Sequence, residues 1–192
     1  MIYHNAEAEK RAAFYVADLM MAAARTAPKG CGVDNLEAIL IDGKEKDTLA
    51  EQMRKIAEET GETFYGRDGN SIDRCPVVVG LGIKNIPRGL ENCGFCGFAD
   101  CAEMTKAGAN CAFNITDLGI AVGSAAAVAS DHRFDNRIMF SIGKAAIRLK
   151  YLSENVRVAY GIPLSASGKN IFFDRESKDA EAAELAGKEK EL

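Results

Sequence analysis

Four of the chain's six cysteines crowd into the stretch "ENCGFCGFADCAEMTKAGANC", Glu91 to Cys111. They stand at Cys93, Cys96, Cys101 and Cys111, separated by two, four and nine residues. Thiols at this density have three uses: disulfides, a bound metal or cluster, or free side chains. Each implies a different fold around the segment, so it constrains the chain more than any run of apolar residues does.

The compartment bears on the first use. The N-terminal "MIYHNAEAEKRAAFYVADLM" lacks the basic, then apolar, then small-residue order of a secretory signal. The most apolar long run, Leu118 to Ser130, is about 13 residues, short of the ~20 that span a bilayer. A cytoplasmic protein with no membrane segment is therefore expected. Reducing thiol pools there keep cysteines free or metal-bound, which argues against a disulfide framework.

Between metals, the spacing favours iron and sulfide. Structural zinc sites commonly use two distant cysteine pairs or a pair of histidines, and His4 and His132 both lie outside the segment. A Cys-x-x-Cys pair with Gly94 and Gly97 permits close backbone approach, and Phe95 and Phe98 offer an apolar cover. Together these suit a cube of four irons and four sulfides. The pattern departs from the two-cluster bacterial ferredoxin run. Zinc and free thiols remain the alternatives.

With 192 residues, 47% hydrophobic and 27% charged, the chain reads as one soluble globular domain that can fold without cysteine cross-links. A formal net charge of -4 and no cluster of Lys and Arg argue against nucleic acid as a partner. No nucleophile, histidine and carboxylate can be assembled into a hydrolytic site.

Apolar spacing predicts helices over Asn5 to Arg25, Asp47 to Glu59, Cys101 to Ala107, Ile115 to Ser130 (Thr116 as N-cap) and after Phe140. Strands are expected at Asn35 to Ile41, in "CPVVVGLGI" and at Val156 to Leu164, with a turn at Asp42-Gly43 and a surface loop at "GRDGNSIDR". The Gly119 and Gly123 helix is thin, so another helix or a second subunit should approach it. The pattern is α+β, a single domain over 1–173 holding the cysteine segment 91–112, followed by a charged tail over 174–192.

Other candidates are weaker. Cys75 reads as a buried small hydrophobe and Cys31 as an exposed thiol or a replacement ligand. Gly168, Lys169 and Asn170 form either an anion nest or a plain turn. Lys84 and Arg88, just before the cysteines, either lie in a solvated loop, guide an acidic carrier or tune a cluster by charge. His132 fits a helix-end cap better than a proton donor.

The stretch Cys93 to Cys111 resembles the four-cysteine [4Fe-4S] domain of corrinoid iron-sulfur proteins and Rnf-type electron-transport subunits. "CGFCGFADC", "CAFNITDLGIAVGSA", "DNRIM" and "GIPLSASGKNIFFDR" together resemble the uncharacterised ferredoxin-domain family DUF2148, over nearly the whole chain. "AAARTAPKGCGVDNLEAILIDG" and "TDLGIAVGSAAAVA" are similar to nitroreductase-like proteins. Those are α+β homodimers, with a mixed sheet flanked by helices, that bind flavin mononucleotide (FMN) between subunits. That resemblance implies Lys10 and Arg11 as candidates for the flavin phosphate.

The expectation is a homodimeric iron-sulfur protein that moves electrons, serving a redox partner protein or a small-molecule substrate. Whether it is an oxidoreductase with a flavin or substrate pocket, a carrier or sensor without one, or a zinc-stapled fold stays open at this point.

Overall fold

The computed structural model describes residues 1–173. The expected charged tail, 174–192, lies outside the described residues.

Helix α1, Asn5–Thr26, buries Ala13, Val16, Ala17, Met20 and Ala24 at three- and four-residue spacing, the stripe that a 3.6-residue period lays on one face. It stops at Ala27, held extended (ψ 140°) as a residue before proline must be. A single 3-10 turn at Gly30–Gly32 leads to strand β1, Leu36–Asp42, and then to helix α2, Gly43–Thr60. The expected turn at Asp42-Gly43 is thus the entry to a helix. Gly61 ends α2 in the left-handed region, φ 75°. Helix α3 is Thr63–Asp73, strand β2 Val77–Lys84, helix α4 Cys101–Lys106 and helix α5 Ala112–Asp131. A two-residue strand β3, Asp135–Asn136, helix α6, Phe140–Arg148, and strand β4, Val156–Ser165, complete the described order.

The strands form one sheet in the order β1-β2-β4-β3. Every pairing is antiparallel, with Val79 opposite both Leu40 and Ile162. The α+β class stands, but among the described residues the sheet is antiparallel and not mixed. Helix α3 is the reason: two helices rather than one separate β1 from β2, so the chain re-enters the sheet in the opposite direction.

That helix occupies the segment read as a surface loop. Its buried face is Tyr65, Asp68, Gly69 and Ile72, and a carboxylate and a glycine at core positions give no apolar period to detect. Asp68 is satisfied by the Ser141 hydroxyl, which donates to it at 2.7 Å.

Both faces of β2 are covered. Val77, Val79, Leu81 and Ile83 meet α1 and α5 in one core, while Val78 faces the core built by α2, α3 and α6. On that second side α6 lies directly on β4. A Cβ at Gly143 would overlap the Ala159 carbonyl and sit 2.8 Å from the Tyr160 nitrogen, so glycine sets the helix-to-strand distance there.

Helix α5 begins at Ala112 with Cys111 as its N-cap, not at Thr116, whose hydroxyl donates back to the Ala112 carbonyl at 3.0 Å. At 20 residues and a mean hydropathy of 1.4, it is long and apolar enough to cross a membrane, which the run read from sequence was not. In the fold, its Leu118, Ala121, Val122, Ala125 and Ala129 pack into the core shared with α1.

Candidate functional site

Cys93, Cys96, Cys101 and Cys111 all line one pocket, together with Leu90, Phe98, Met104 and Phe113. None of the four is in a disulfide. They reach the pocket from three stretches of backbone.

Cys93 and Cys96 sit on the loop that leaves β2. There Asn92, Gly94 and Gly97 all have positive φ, 55°, 61° and 84°, and the Gly97 amide donates to the Gly94 carbonyl at 2.9 Å. Glycine makes the last two turns accessible without strain, and they curl the loop around its cysteines. Phe95 stacks on Phe113 with centroids 5.4 Å apart, which ties the loop to α5.

Cys101 is the first residue of α4, capped by the Asp100 carboxylate accepting from the Glu103 amide at 2.8 Å. Cys111 caps the 20-residue α5. Its own amide donates to Asn85 Oδ1 at 3.2 Å, and Asn85 Nδ2 donates to the Ala109 carbonyl at 2.9 Å. Cys111 is therefore fixed at the start of a long helix.

The end of β2 is pinned above this helix. Buried Asn114 donates to the carbonyls of Lys84, at 3.2 Å, and Ile86, at 2.8 Å, and accepts from Asn35 at 3.3 Å. One turn on, Asp117 is 3% exposed, pairs with Arg88, and accepts the Gly30 amide at 2.9 Å. Arg88 also lines the cysteine pocket.

Asn35, Asn85, Asn114 and Asp117 were the ones sequence reasoning missed. The available signal was Asn114 and Asp117, polar at i and i+3 on a helix otherwise apolar on that face. Arg88, read as a solvated-loop cation, a guide for an acidic carrier or a charge that tunes a cluster, has a side chain 2% exposed, so it does not lie in solvent and cannot guide a partner from the surface.

The structure does not gather three His, Cys, Asp or Glu side chains around a point that a single metal ion would fill, among the described residues. Cys75 is buried as expected, its thiol pushed up to about 12 by burial, with Lys46 and Arg74 opposing. Cys31 is exposed on the 3-10 turn, outside the lining of the cysteine pocket. His132 caps α5, its Nδ1 2.9 Å from the Val128 carbonyl.

The loop Gly168, Lys169 and Asn170 lies elsewhere. Asn170 donates to Asp135 at 2.9 Å and accepts from the Phe172 amide at 3.1 Å, so its amide braces the turn. The preceding Ser165, Ala166 and Ser167 line a second, open pocket with Lys10 and Arg74. Of the two N-terminal cations, Lys10 faces this pocket, whereas the Arg11 guanidinium lies over the Tyr3 ring at 4.3 Å.

The fold has counterparts. A nitroreductase-like protein of Desulfovibrio desulfuricans, solved in complex with FMN, superposes with a TM-score of 0.55 at 15% identity, covering 81% of this chain and 75% of that one. The hypothetical oxidoreductase YcnD of Bacillus subtilis gives 0.51 at 18% identity over 81% of this chain. The present chain spans only 58% of YcnD. At such identities the likeness is one of fold alone.

Sequence likeness goes further. An uncharacterised protein of Archaeoglobus fulgidus is 41% identical over 172 residues, which is 85% of this chain and 92% of that protein. The profile described as "uncharacterized protein containing a ferredoxin domain (DUF2148)" matches residues 107–175, a range that includes Cys111. With its nitroreductase-like fold and its ferredoxin-family sequence, the chain belongs to the DUF2148 family.

Proposed function

We propose that this protein is an iron-sulfur redox protein holding one [4Fe-4S] cluster on Cys93, Cys96, Cys101 and Cys111, and that it passes single electrons to a flavin or small substrate bound elsewhere on the molecule. The observation that carries the reading is the convergence of four unbridged thiols on one apolar pocket. Four cysteines in one segment with no histidine among them suit an iron-sulfur cage better than the distant cysteine pairs or histidine-containing sets common in structural zinc sites.

The cluster, when bound, supplies one-electron transfer. The chain supplies the rest. Gly94 and Gly97 bend the loop so that two sulfurs come from one turn. Cys101 opens α4 and Cys111 is the N-cap residue of α5, so these two sulfurs are held by helix starts. Phe98, Met104 and Phe113 give the pocket an apolar lining, which lowers the local dielectric and strengthens electrostatic interactions there.

The flavin half of the proposal rests on the second pocket. Lys10, Arg74, Ser165 and Ser167 are cations and hydroxyls of the kind that hold a phosphate, set beside the carboxylates of Glu9 and Asp73 in the same lining, and the D. desulfuricans neighbour contains FMN. Helix α5 supports a homodimer. Positions Gly119 and Gly123 meet nothing within 4 Å in the single chain, and Ile115 and Ile120 nearby are exposed, a surface on which a second backbone can lie close.

The test is anaerobic purification followed by iron, sulfide, zinc and flavin analysis. Four irons and four labile sulfides per chain are expected, with FMN released on boiling. Colourless protein with one zinc, or with no metal, would remove the cluster reading. A full cluster without flavin would make the protein an electron carrier or sensor rather than a flavin-linked oxidoreductase.

A further inference from the structure

Arg88 is a buried cation with most of its donors unspent. Its side chain is 2% exposed, and its Nη2 group pairs with Asp117. Both Nε and Nη1 are buried without an acceptor. A guanidinium offers five N–H donors in a fixed fork, and each buried donor left unmet costs about 1–3 kcal/mol, more when it is charged. Asp117 cannot meet them all, because its other oxygen accepts the Gly30 amide at 2.9 Å. The carboxylate thus fixes where the guanidinium lies while leaving it under-satisfied.

Arg88 itself lines the pocket it shares with the four cysteines, and an acceptor bound there is one that would relieve this. Sulfur carrying negative charge accepts such bonds, and hydrogen bonds to cluster sulfurs are among the factors that set cluster potentials. We propose that the unpartnered N–H groups of Arg88 donate to the sulfur of a cluster held by Cys93, Cys96, Cys101 and Cys111, and that Arg88 thereby raises the potential at which the cluster accepts an electron.

The inference rests on the cluster reading above. In the step concerned, one electron passes from a one-electron donor such as a reduced viologen to the cluster, whose net negative charge rises by one. No bond forms or breaks. No proton moves, since arginine stays charged throughout. A fixed positive charge and its hydrogen bonds stabilise the more negative form more strongly, so reduction becomes easier. Asp117 is the positioning residue that holds the fork in place.

The experiment begins with wild-type protein purified without oxygen and analysed for iron and sulfide. Their absence removes the cluster reading itself; their presence lets the two proposals be judged apart. Protein carrying arginine labelled with 15N at the guanidinium is then reduced with dithionite and studied by pulsed electron paramagnetic resonance. A 15N hyperfine coupling is expected in the wild type and is expected to vanish in Arg88→Lys. In a mediated redox titration, the double variant Arg88→Met/Asp117→Asn, which leaves no unpaired carboxylate behind, should be reduced at least tenfold less favourably, about 59 mV lower for one electron. Three results overturn the inference while leaving the cluster reading intact: no coupling in the wild type, a coupling that survives Arg88→Lys, or an unchanged potential in a double variant retaining its iron. Should the double variant assemble no cluster, the labelled wild type and Arg88→Lys decide by themselves.

Discussion

Replacing Gly143 by alanine puts the packing of α6 on β4 to a direct test, because local and tertiary effects have opposite signs there. Alanine is favoured over glycine in a helix by about 0.8–1 kcal/mol, so on propensity alone Gly143→Ala stabilises α6. In the fold, the added Cβ would overlap the Ala159 carbonyl and lie 2.8 Å from the Tyr160 nitrogen, where optimal contacts to carbon are about 3.5–4.0 Å. Both neighbours are backbone in the central antiparallel sheet, Ala159 opposite Gly82 and Tyr160 opposite Leu81 on β2, so neither can rotate away. The helix must lift by on the order of 1 Å, and overpacking of this kind costs about 1–3 kcal/mol or more. Lifting it also disturbs the bridge between Met139 and Gly161 and opens the contact of Ile142 with β4. With the overpacking cost at the upper end of that range and the propensity gain subtracted, a net loss of about 2 kcal/mol follows, which for a chain of this length lowers Tm by about 4–8 °C. Thermal unfolding followed by circular dichroism at 222 nm measures it. A Tm within 2 °C of wild type, or above it, would refute the reasoning about this contact.

Further outcomes are expected at other positions. Cys96→Ser should lose most of the bound iron and sulfide while keeping the far-ultraviolet spectrum of the wild type; full metal content in that variant would exclude Cys96 as a ligand. Cys75, with its thiol pushed up from 9.0 to about 12 by burial, binds its proton more tightly folded than unfolded, so its contribution is complete below pH 9 and is lost as pH rises towards 12. At pH 10.5 this amounts to about 2 kcal/mol, read as the difference in urea stability between wild type and Cys75→Ala at pH 8 and 10.5; parallel pH profiles would contradict it. Gly123→Leu on the open face of α5 should convert a dimer to a monomer in sedimentation velocity, and an unchanged dimer would move the subunit contact elsewhere.

The elements legible in the sequence were those whose residues repeat at a fixed spacing. Helix α1 shows its stripe from Ala13 to Ala24, and β2 shows an apolar run buried on both sides. Helix α3 was not legible, because Asp68 and Gly69 occupy its core positions: a carboxylate reads as solvent-facing until Ser141, distant in the chain, is known to donate to it. The expectation of a mixed sheet came from the nitroreductase resemblance, and without α3 nothing in the sequence corrected it.

The site divides in the same way. Cys93, Cys96 and Cys101 lie close along the chain, so the backbone alone brings them near one another, and residue type and interval sufficed to single them out. Cys111 was marked by type as well, but the hydrogen bonds of Asn85 and the start of α5 are what carry it to the same pocket. The Arg88–Asp117 pair was beyond reach, since its members are 29 residues apart and belong to segments with no common pattern. Covalent proximity and periodic burial are properties of the sequence by itself; which polar groups are taken out of water together, and which are left there without a partner, is decided only when separate elements close on one another.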